Sequence, residues 1–153
     1  MAATLETGTF ESTLDDRGRV SIPIRLREIY KVREFVITQG RQPSAWIMTP
    51  EIWEQVSGKL RNSTALTDEE YSLIEYLHIL PAQLVEIDKS GRVPVPQAIR
   101  KYAGLNRDCL VLSAENRLEI WDSNFHSAYL NENRPVIQEA WRKMGSIRLF
   151  SQK

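Results

Sequence analysis

The sequence predicts an α+β fold, mainly β with short helices, in which two copies of one unit pack about a pseudo-two-fold axis around a shared core. Three observations predict it. The stretch DDRGRVSIP, beginning at Asp15, returns as DKSGRVPVP, beginning at Asp88, at an offset of 73. After each Gly-Arg pair, apolar and polar residues alternate with the period of a half-buried strand. Each alternating run then meets a proline followed by apolar residues at helical spacing.

The repeat sets the organisation, since a fixed internal period decides an architecture before any local reading does. At this offset Leu14 falls on Ile87, Asp15 on Asp88, Gly18 on Gly91, Arg19 on Arg92, Val20 on Val93, Pro23 on Pro96, Leu26 on Ile99 and Arg27 on Arg100. Further on, FVIT from Phe35 parallels CLVL from Cys109, and WIMTPEIW from Trp46 parallels LEIWDSNF from Leu118. The expected divisions are a first copy over residues 9–54, a helical connector over 55–81, a second copy over 82–125, and a C-terminal helix and tail over 126–153. A unit of this size buries too little apolar surface to stand alone, so the two copies should share one core.

Within the first copy, Phe10 to Leu14 reads as a strand, and Asp15-Asp16-Arg17-Gly18 as a turn. There Asp can bond its own backbone and Gly accepts positive φ. Val20, Ile22 and Ile24 alternate with Arg19, Ser21 and Pro23 as a second strand. Pro23 suits the first position of a helix with Leu26, Ile29 and Tyr30 on its apolar face. Strands around Val36 and Trp46 follow. The second copy repeats this order: Pro96 opens a helix bearing Ile99 and Tyr102, Gly104 supplies a left-handed C-cap, and strands follow around Val111 and Ile120. Between the copies, Thr67-x-x-Glu70 is a capping-box pattern that should start a helix through Tyr71, Ile74 and Leu77. Another helix should begin at Pro135, with Ile137, Trp141 and Met144 on one face.

Composition limits the function classes. Hydrophobic residues make up 42% and charged residues 26% of the 153 residues, a globular balance rather than a disordered one. No apolar run approaches the roughly 20 residues of a membrane span, and MAATLETGTF lacks the basic and apolar regions of a secretory signal. A lone Cys109 cannot form an internal disulfide, which agrees with a reducing cytoplasm. The net charge is zero, yet residues 14–33 hold six bases against three acids and residues 87–101 hold four against one. Basic charge is therefore gathered on the two repeated segments.

That distribution points to a polyanion. Phosphate neutralisation needs Lys or Arg on a shared surface, whereas guanine O6 and N7 are gripped together by the planar fork of Arg. A turn that projects Arg17 and Arg19 could serve both purposes, with Lys89 and Arg92 as the counterparts in the second copy. Asp15 and Asp88 repel phosphate, so their expected task is to orient the loop together with Gly18 and Gly91. A hairpin turn bearing a solvated charge pair would need Asp and Gly twice, but it would not need Arg at the same step twice. Arg25, Arg27, Arg100 and Lys101 on the short helices are candidate supporting phosphate contacts. For Arg27 and Arg100 a second reading stands beside it, an ion pair with Glu28 or with a carboxylate of a neighbouring protomer. Trp46, Trp53 and Trp121 sit in apolar surroundings and read as packing residues rather than base-stacking ones.

Enzyme signatures are missing. There is no phosphate-cradling glycine loop, no H-E-x-x-H and no paired C-x-x-C. His78 and His126 lack ligand neighbours in the sequence, Cys109 lies in an apolar strand, and Asp68-Glu69-Glu70 reads as first-turn charge of a helix. No catalytic residue, metal or cofactor is expected.

The doubled D-x-x-G-R turn, the strand-Pro-helix after it, IRKYAGL at 99–105 and NRLEIWD at 116–122 together resemble the MraZ family. These are bacterial transcriptional regulators built from two AbrB-like, looped-hinge domains. The resemblance implies a double-split β-barrel made by the two halves, a ring-like homo-oligomer, and a cytoplasmic, nucleoid-associated repressor. Its partner would be double-stranded DNA, at short repeated boxes upstream of a cell-division and cell-wall gene cluster containing its own gene. In the family the D-x-x-x-R motif carries DNA contact, which falls on Asp15 and Arg19 and on Asp88 and Arg92. The basic residue two before the arginine matches Arg17, while Ser90 takes its place in the second copy and the lysine is displaced to Lys89. An alternative function is an antitoxin-like or scaffold protein-binding module whose oligomer is the function. The amphipathic C-terminal helix favours self-assembly over a disordered toxin-binding tail.

Overall fold

The computed structural model of the chain describes residues 7–145 and residue 150, apart from the side chain of Ile29. The place expected for Ile29 on a helix face, and most of the tail after residue 145, lie outside the described residues. The first copy supplies β1 (Gly8–Thr13), β2 (Arg19–Ser21), α1 (Ile24–Tyr30), β3 (Glu34–Gln39) and β4 (Ala45–Met48). Next come α2 (Pro50–Arg61), α3 (Asp68–Ile74) and a π-helical turn, Glu75–Ile79. The second copy repeats the order as β5 (Gln83–Glu86), β6 (Arg92–Pro94), α4 (Gln97–Ala103), β7 (Asp108–Ser113) and β8 (Leu118–Asp122).

Strand pairing follows the repeat. Six strands form one antiparallel sheet in the order β1-β7-β8-β4-β3-β5, and β2 pairs with β6 in a two-stranded ribbon. Exchanging each strand for its counterpart in the other copy returns the same order. β1 of the first copy lies on β7 of the second, β5 of the second lies on β3 of the first, and β4 meets β8 at the centre. Each copy thus lends its first strand to the other, and no pairing closes either sheet into a barrel among the described residues.

The core lies between the sheet, the ribbon and the short helices. It draws on both copies: Val20, Ile22, Leu26, Ile37 and Ile47 from the first, and Val93, Val95, Ile99, Val111 and Ile120 from the second, all at most 1% exposed. Burying each side chain stabilises by roughly 1.5–3 kcal/mol, and most of that is available only when both copies are present. The alternation read for β2 ends one residue early. Val20 and Ile22 are buried, but Ile24 is 64% exposed because the chain has already turned into α1. Pro23 caps this helix from outside rather than opening it, as Pro96 does for α4.

The outer face of the sheet carries the connector. Thr67 and Glu70 close a reciprocal capping box at the start of α3, as their spacing predicts. The π-helical turn was not foreseen. It directs His78 inward, where Nδ1 lies 2.8 Å from the Gln39 carbonyl and the ring stacks on Trp46 at 4.8 Å. His78 is 2% exposed and so is a packing residue. Cys109 is fully buried, and that burial, helped by the charges of Asp122 and Asp108, pushes its thiol up to about 11.

Residues from Asn124 onward form a separate unit. It comprises α5 (Ser123–Glu132, begun on the last residue of the first unit), which the sequence pattern did not reveal, and α6 (Arg134–Lys143). Phe125 stacks on Tyr129 at 6.3 Å, and Asn133 Nδ2 donates to the Tyr129 carbonyl at 2.8 Å.

One difference between the copies is directly testable. Gly104 ends α4 at φ 63°, and its counterpart Lys31 ends α1 at φ 50°. A side chain in the left-handed region is strained where glycine is not. Lys31→Gly is therefore expected to stabilise the fold by about 0.5–1 kcal/mol, read as a rise of about 1–4 °C in Tm.

Candidate functional site

The two D-x-x-G-R turns lie side by side because β2 pairs with β6 in antiparallel register: Arg19 opposite Pro94, Val20 opposite Val93, Ser21 opposite Arg92. Val20 and Val93 enter the core, so alternation sends Arg19 and Arg92 to the opposite face of the ribbon. The turns are also tied by backbone. Gly18 O accepts from Val95 N, and Gly91 O accepts from Ile22 N, both at 2.8 Å.

Each aspartate folds its own turn. Asp15 Oδ1 accepts from the backbone N–H groups of Arg17 and Arg19 at 2.9 Å, while Oδ2 accepts from Arg19 Nε at 3.0 Å. Asp88 Oδ1 accepts from Ser90 and Arg92 N–H at 2.9 Å, and Oδ2 from Arg92 Nε at 3.2 Å. The second link of each arginine crosses the pseudo-axis. Arg19 Nη1 lies 3.3 Å from Asp88 Oδ2, and Arg92 Nη1 lies 3.7 Å from Asp15 Oδ2. Two arginines and two aspartates thereby form one four-membered, charge-neutral cluster.

This geometry corrects one expectation. Arg19 and Arg92 do not project freely from their turns; their side chains are 24% and 37% exposed and held by carboxylates from both copies. Each keeps Nη2 without a hydrogen-bond partner among the described residues. Arg17 and Lys89, at the tips of the turns, are exposed and form no ion pair among the described residues.

Arg27 and Arg100 also occupy places the sequence did not reveal. At Gly18, φ is 76° and an added Cβ would strike the Arg100 guanidinium; at Gly91, φ is 81° and a Cβ would strike that of Arg27. Each arginine therefore fills the space that the other copy's glycine leaves open. Arg100 Nη1 donates to the Val95 carbonyl, and Arg27 Nε is buried without a partner. No pair forms between Arg27 and Glu28 among the described residues. The signal was present in the repeat itself, since Arg27 falls on Arg100 as Gly18 falls on Gly91. Arg25 lies with its guanidinium 5.6 Å from the Phe10 ring, and Lys101 is exposed.

The carboxyl of Asp15 is held below its ordinary 3.8, chiefly by the Arg19 backbone N–H. Desolvation opposes this, while the Arg17 N–H and the Arg19 charge add to it. Asp88 is lowered in the same way, first by the Arg92 N–H. Folding depresses both values, so the stabilisation is complete above the unfolded value of 3.8 and is lost as pH falls through the folded values. Asp15→Asn with Asp88→Asn should therefore flatten part of the acid limb in thermal melts recorded from about pH 2 to about pH 6. An unchanged limb would show that the cluster adds nothing to acid stability.

Among the described residues no group of three His, Cys, Asp or Glu side chains is placed to hold a metal ion, and no helix is long and apolar enough to cross a membrane.

Residues 5–74 and 79–145 match the family described as "MraZ protein, putative antitoxin-like". A "Transcriptional regulator MraZ" of Treponema denticola is 36% identical over 141 residues, covering 92% of this chain and 98% of its own. The protein of that name from Treponema pallidum subsp. pallidum is 33% identical over 127 residues, covering 83% and 85%. Another, from Acetivibrio thermocellus, is 30% identical over 140 residues, covering 92% and 96%.

Proposed function

The chain belongs to the MraZ family, and on that premise we propose that it is a DNA-binding transcriptional regulator that grips duplex DNA with both turns at once. The observation that carries this reading is the joining of the turns into one platform across the pseudo-axis. Arg17 and Lys89 neutralise phosphates at its rim. Arg19 and Arg92, oriented by Asp15 and Asp88, present their remaining N–H donors to base edges. Lys101 and Arg25 add phosphate contacts, whereas Arg27 and Arg100 hold the turns in shape.

Holding the arginines in advance matters because an ordered fork loses less side-chain freedom on binding than a free one. A contact surface this small binds weakly at physiological salt. We therefore extend the reading to a ring-like homo-oligomer that meets several short boxes upstream of its own gene, in a cell-division and cell-wall cluster, and represses it by covering the promoter. After the first box is bound, the later contacts become intramolecular. A cytoplasmic, nucleoid-associated location follows from this role. The exchange of first strands between the copies supports the double-split β-barrel description of the halves.

The test is fluorescence anisotropy with DNA from immediately upstream of the gene, carrying either several boxes or one. Loss of all but one box should lower affinity by about 10²-fold or more, and log affinity should fall with log salt at a slope of about −0.9 per phosphate contacted. A loss merely proportional to box number removes the avidity argument, and a flat salt profile removes phosphate contact.

A further inference from the structure

A cavity on the outer side of the sheet takes no part in the twin turn. Its volume is about 300 Å³, and its lining comes from the β3–β4 connection, the β7–β8 connection, the strands beside them and α2. Trp46, Met48 and Val56 form the apolar part. A dry cavity of about 150 Å³ accepts benzene, so twice that volume takes about 12 non-hydrogen atoms. Trp46 is fixed in advance. Its ring stacks on His78 at 4.8 Å, and a Cβ at Gly40 would come within 2.9 Å of its Nε1. A wall that is already ordered loses little freedom when a ligand covers it.

The polar groups of the lining that remain unengaged are chiefly donors. Among the described residues the Arg41 guanidinium and the Trp46 indole N–H have no hydrogen-bond or ion-pair partner, and neither has the Gln42 side chain. Asn116 Oδ1 accepts from Arg117 Nη1 at 3.1 Å, which leaves its amide N–H groups for a ligand. The lining holds one carboxylate, Glu119, and that is taken: it accepts from Arg117 Nε and from Trp121 Nε1, both at 2.8 Å. Arg117 is neutralised by this pair and lies with Cζ 5.6 Å from the Trp46 ring centre. One positive charge is left over, on Arg41.

We propose that this cavity binds a small organic carboxylate. The apolar body of the ligand packs on Trp46, Met48 and Val56, and its charged end is held by Arg41, with Gln42 and Asn116 as further donors. A single uncompensated cation matches a monoanion. A phosphate monoester, with a charge of about −1.5 to −2 at neutral pH, would be left partly unneutralised. A cation or a donor-rich neutral molecule would set donor against donor. The cavity shares no lining residue with the twin turn, so the site stands or falls independently of DNA binding.

Titration calorimetry of the full-length chain at neutral pH tests this, with cinnamate as the probe and cinnamamide as its uncharged twin of the same shape. Cinnamate should bind with a Kd of about 1 mM or tighter, as a ligand of this size can. Cinnamamide should bind about tenfold more weakly or not at all. Arg41→Ala should weaken cinnamate about tenfold and leave the melting curve unchanged, since Arg41 is exposed and unpaired among the described residues. Arg41→Lys should keep most of the affinity. Val56→Phe fills the apolar part and should abolish binding; the Arg41 variants decide the matter if that chain does not fold. Three results would each overturn the site: no heat with millimolar cinnamate, equal affinity for cinnamamide, or unchanged affinity in Arg41→Ala.

Discussion

Replacing Arg19 and Arg92 together with alanine is expected to lower affinity for the upstream DNA by about a hundredfold or more, since a bidentate base contact contributes about 1–3 kcal/mol. The loss should exceed simple removal of two cations. Asp15 and Asp88 would remain at the same surface with their charges no longer neutralised, and they would repel phosphate. The fold should survive, because partly exposed ion pairs contribute about 0–1 kcal/mol each, and the backbone N–H bonds of both aspartates persist. The Arg19→Lys, Arg92→Lys variant separates charge from shape. It keeps the cations but loses the planar fork, and it should fall between wild type and the alanine variant. Anisotropy and thermal melting on the same preparations check both parts. Affinity within twofold of wild type for the alanine variant would reduce the twin turn to scaffolding.

The second large effect is expected at Gly18. Gly18→Ala adds a Cβ at φ 76°, directed at the Arg100 guanidinium with Cζ 2.7 Å away. Left-handed strain costs about 1–2 kcal/mol, and displacing Arg100 from the Val95 carbonyl costs roughly another 1–3 kcal/mol. A destabilisation of about 2–5 kcal/mol should result. Gly104→Ala is the control. It has positive φ but open space around its Cβ, so only the strain term applies. Adding Arg100→Ala to Gly18→Ala should recover part of the loss, and denaturant unfolding of the four chains of this cycle measures the coupling. Additive losses would mean that the arginine does not occupy the glycine's space.

The repeat made most of the fold legible. Offset matching located both ribbon strands, both short helices and the turn positions, and the Thr67 and Glu70 spacing located α3. Local patterns could not reveal which copy pairs with which, because strand exchange depends on pairings far apart along the chain, such as Gly8 with Ser113 and Glu34 with Glu86. α5 escaped notice because none of its residues is buried, leaving no apolar period to read. At the site, residue types and their pairing across the copies were readable, but orientation was not. Asp15 and Asp88 were expected to act within their own turns. They also reach the opposite copy's arginine, a link that exists only once β2 and β6 are in register. Arg27 and Arg100 were misplaced for the same reason, since each meets a glycine belonging to the other half.

Strand exchange also governs how the chain reaches its native state during translation. β1 lies against β7, so residues 8–13 have no native strand partner until residues 108–113 have left the ribosome. At ordinary elongation rates of about 5–20 residues per second, that wait lasts about 5–20 s. For the first part of it, until β6 and α4 emerge, the nascent N-terminal half exposes Val20, Ile22 and Leu26 with no second half to cover them. Chaperone demand and early proteolysis should therefore concentrate on the first half of the polypeptide.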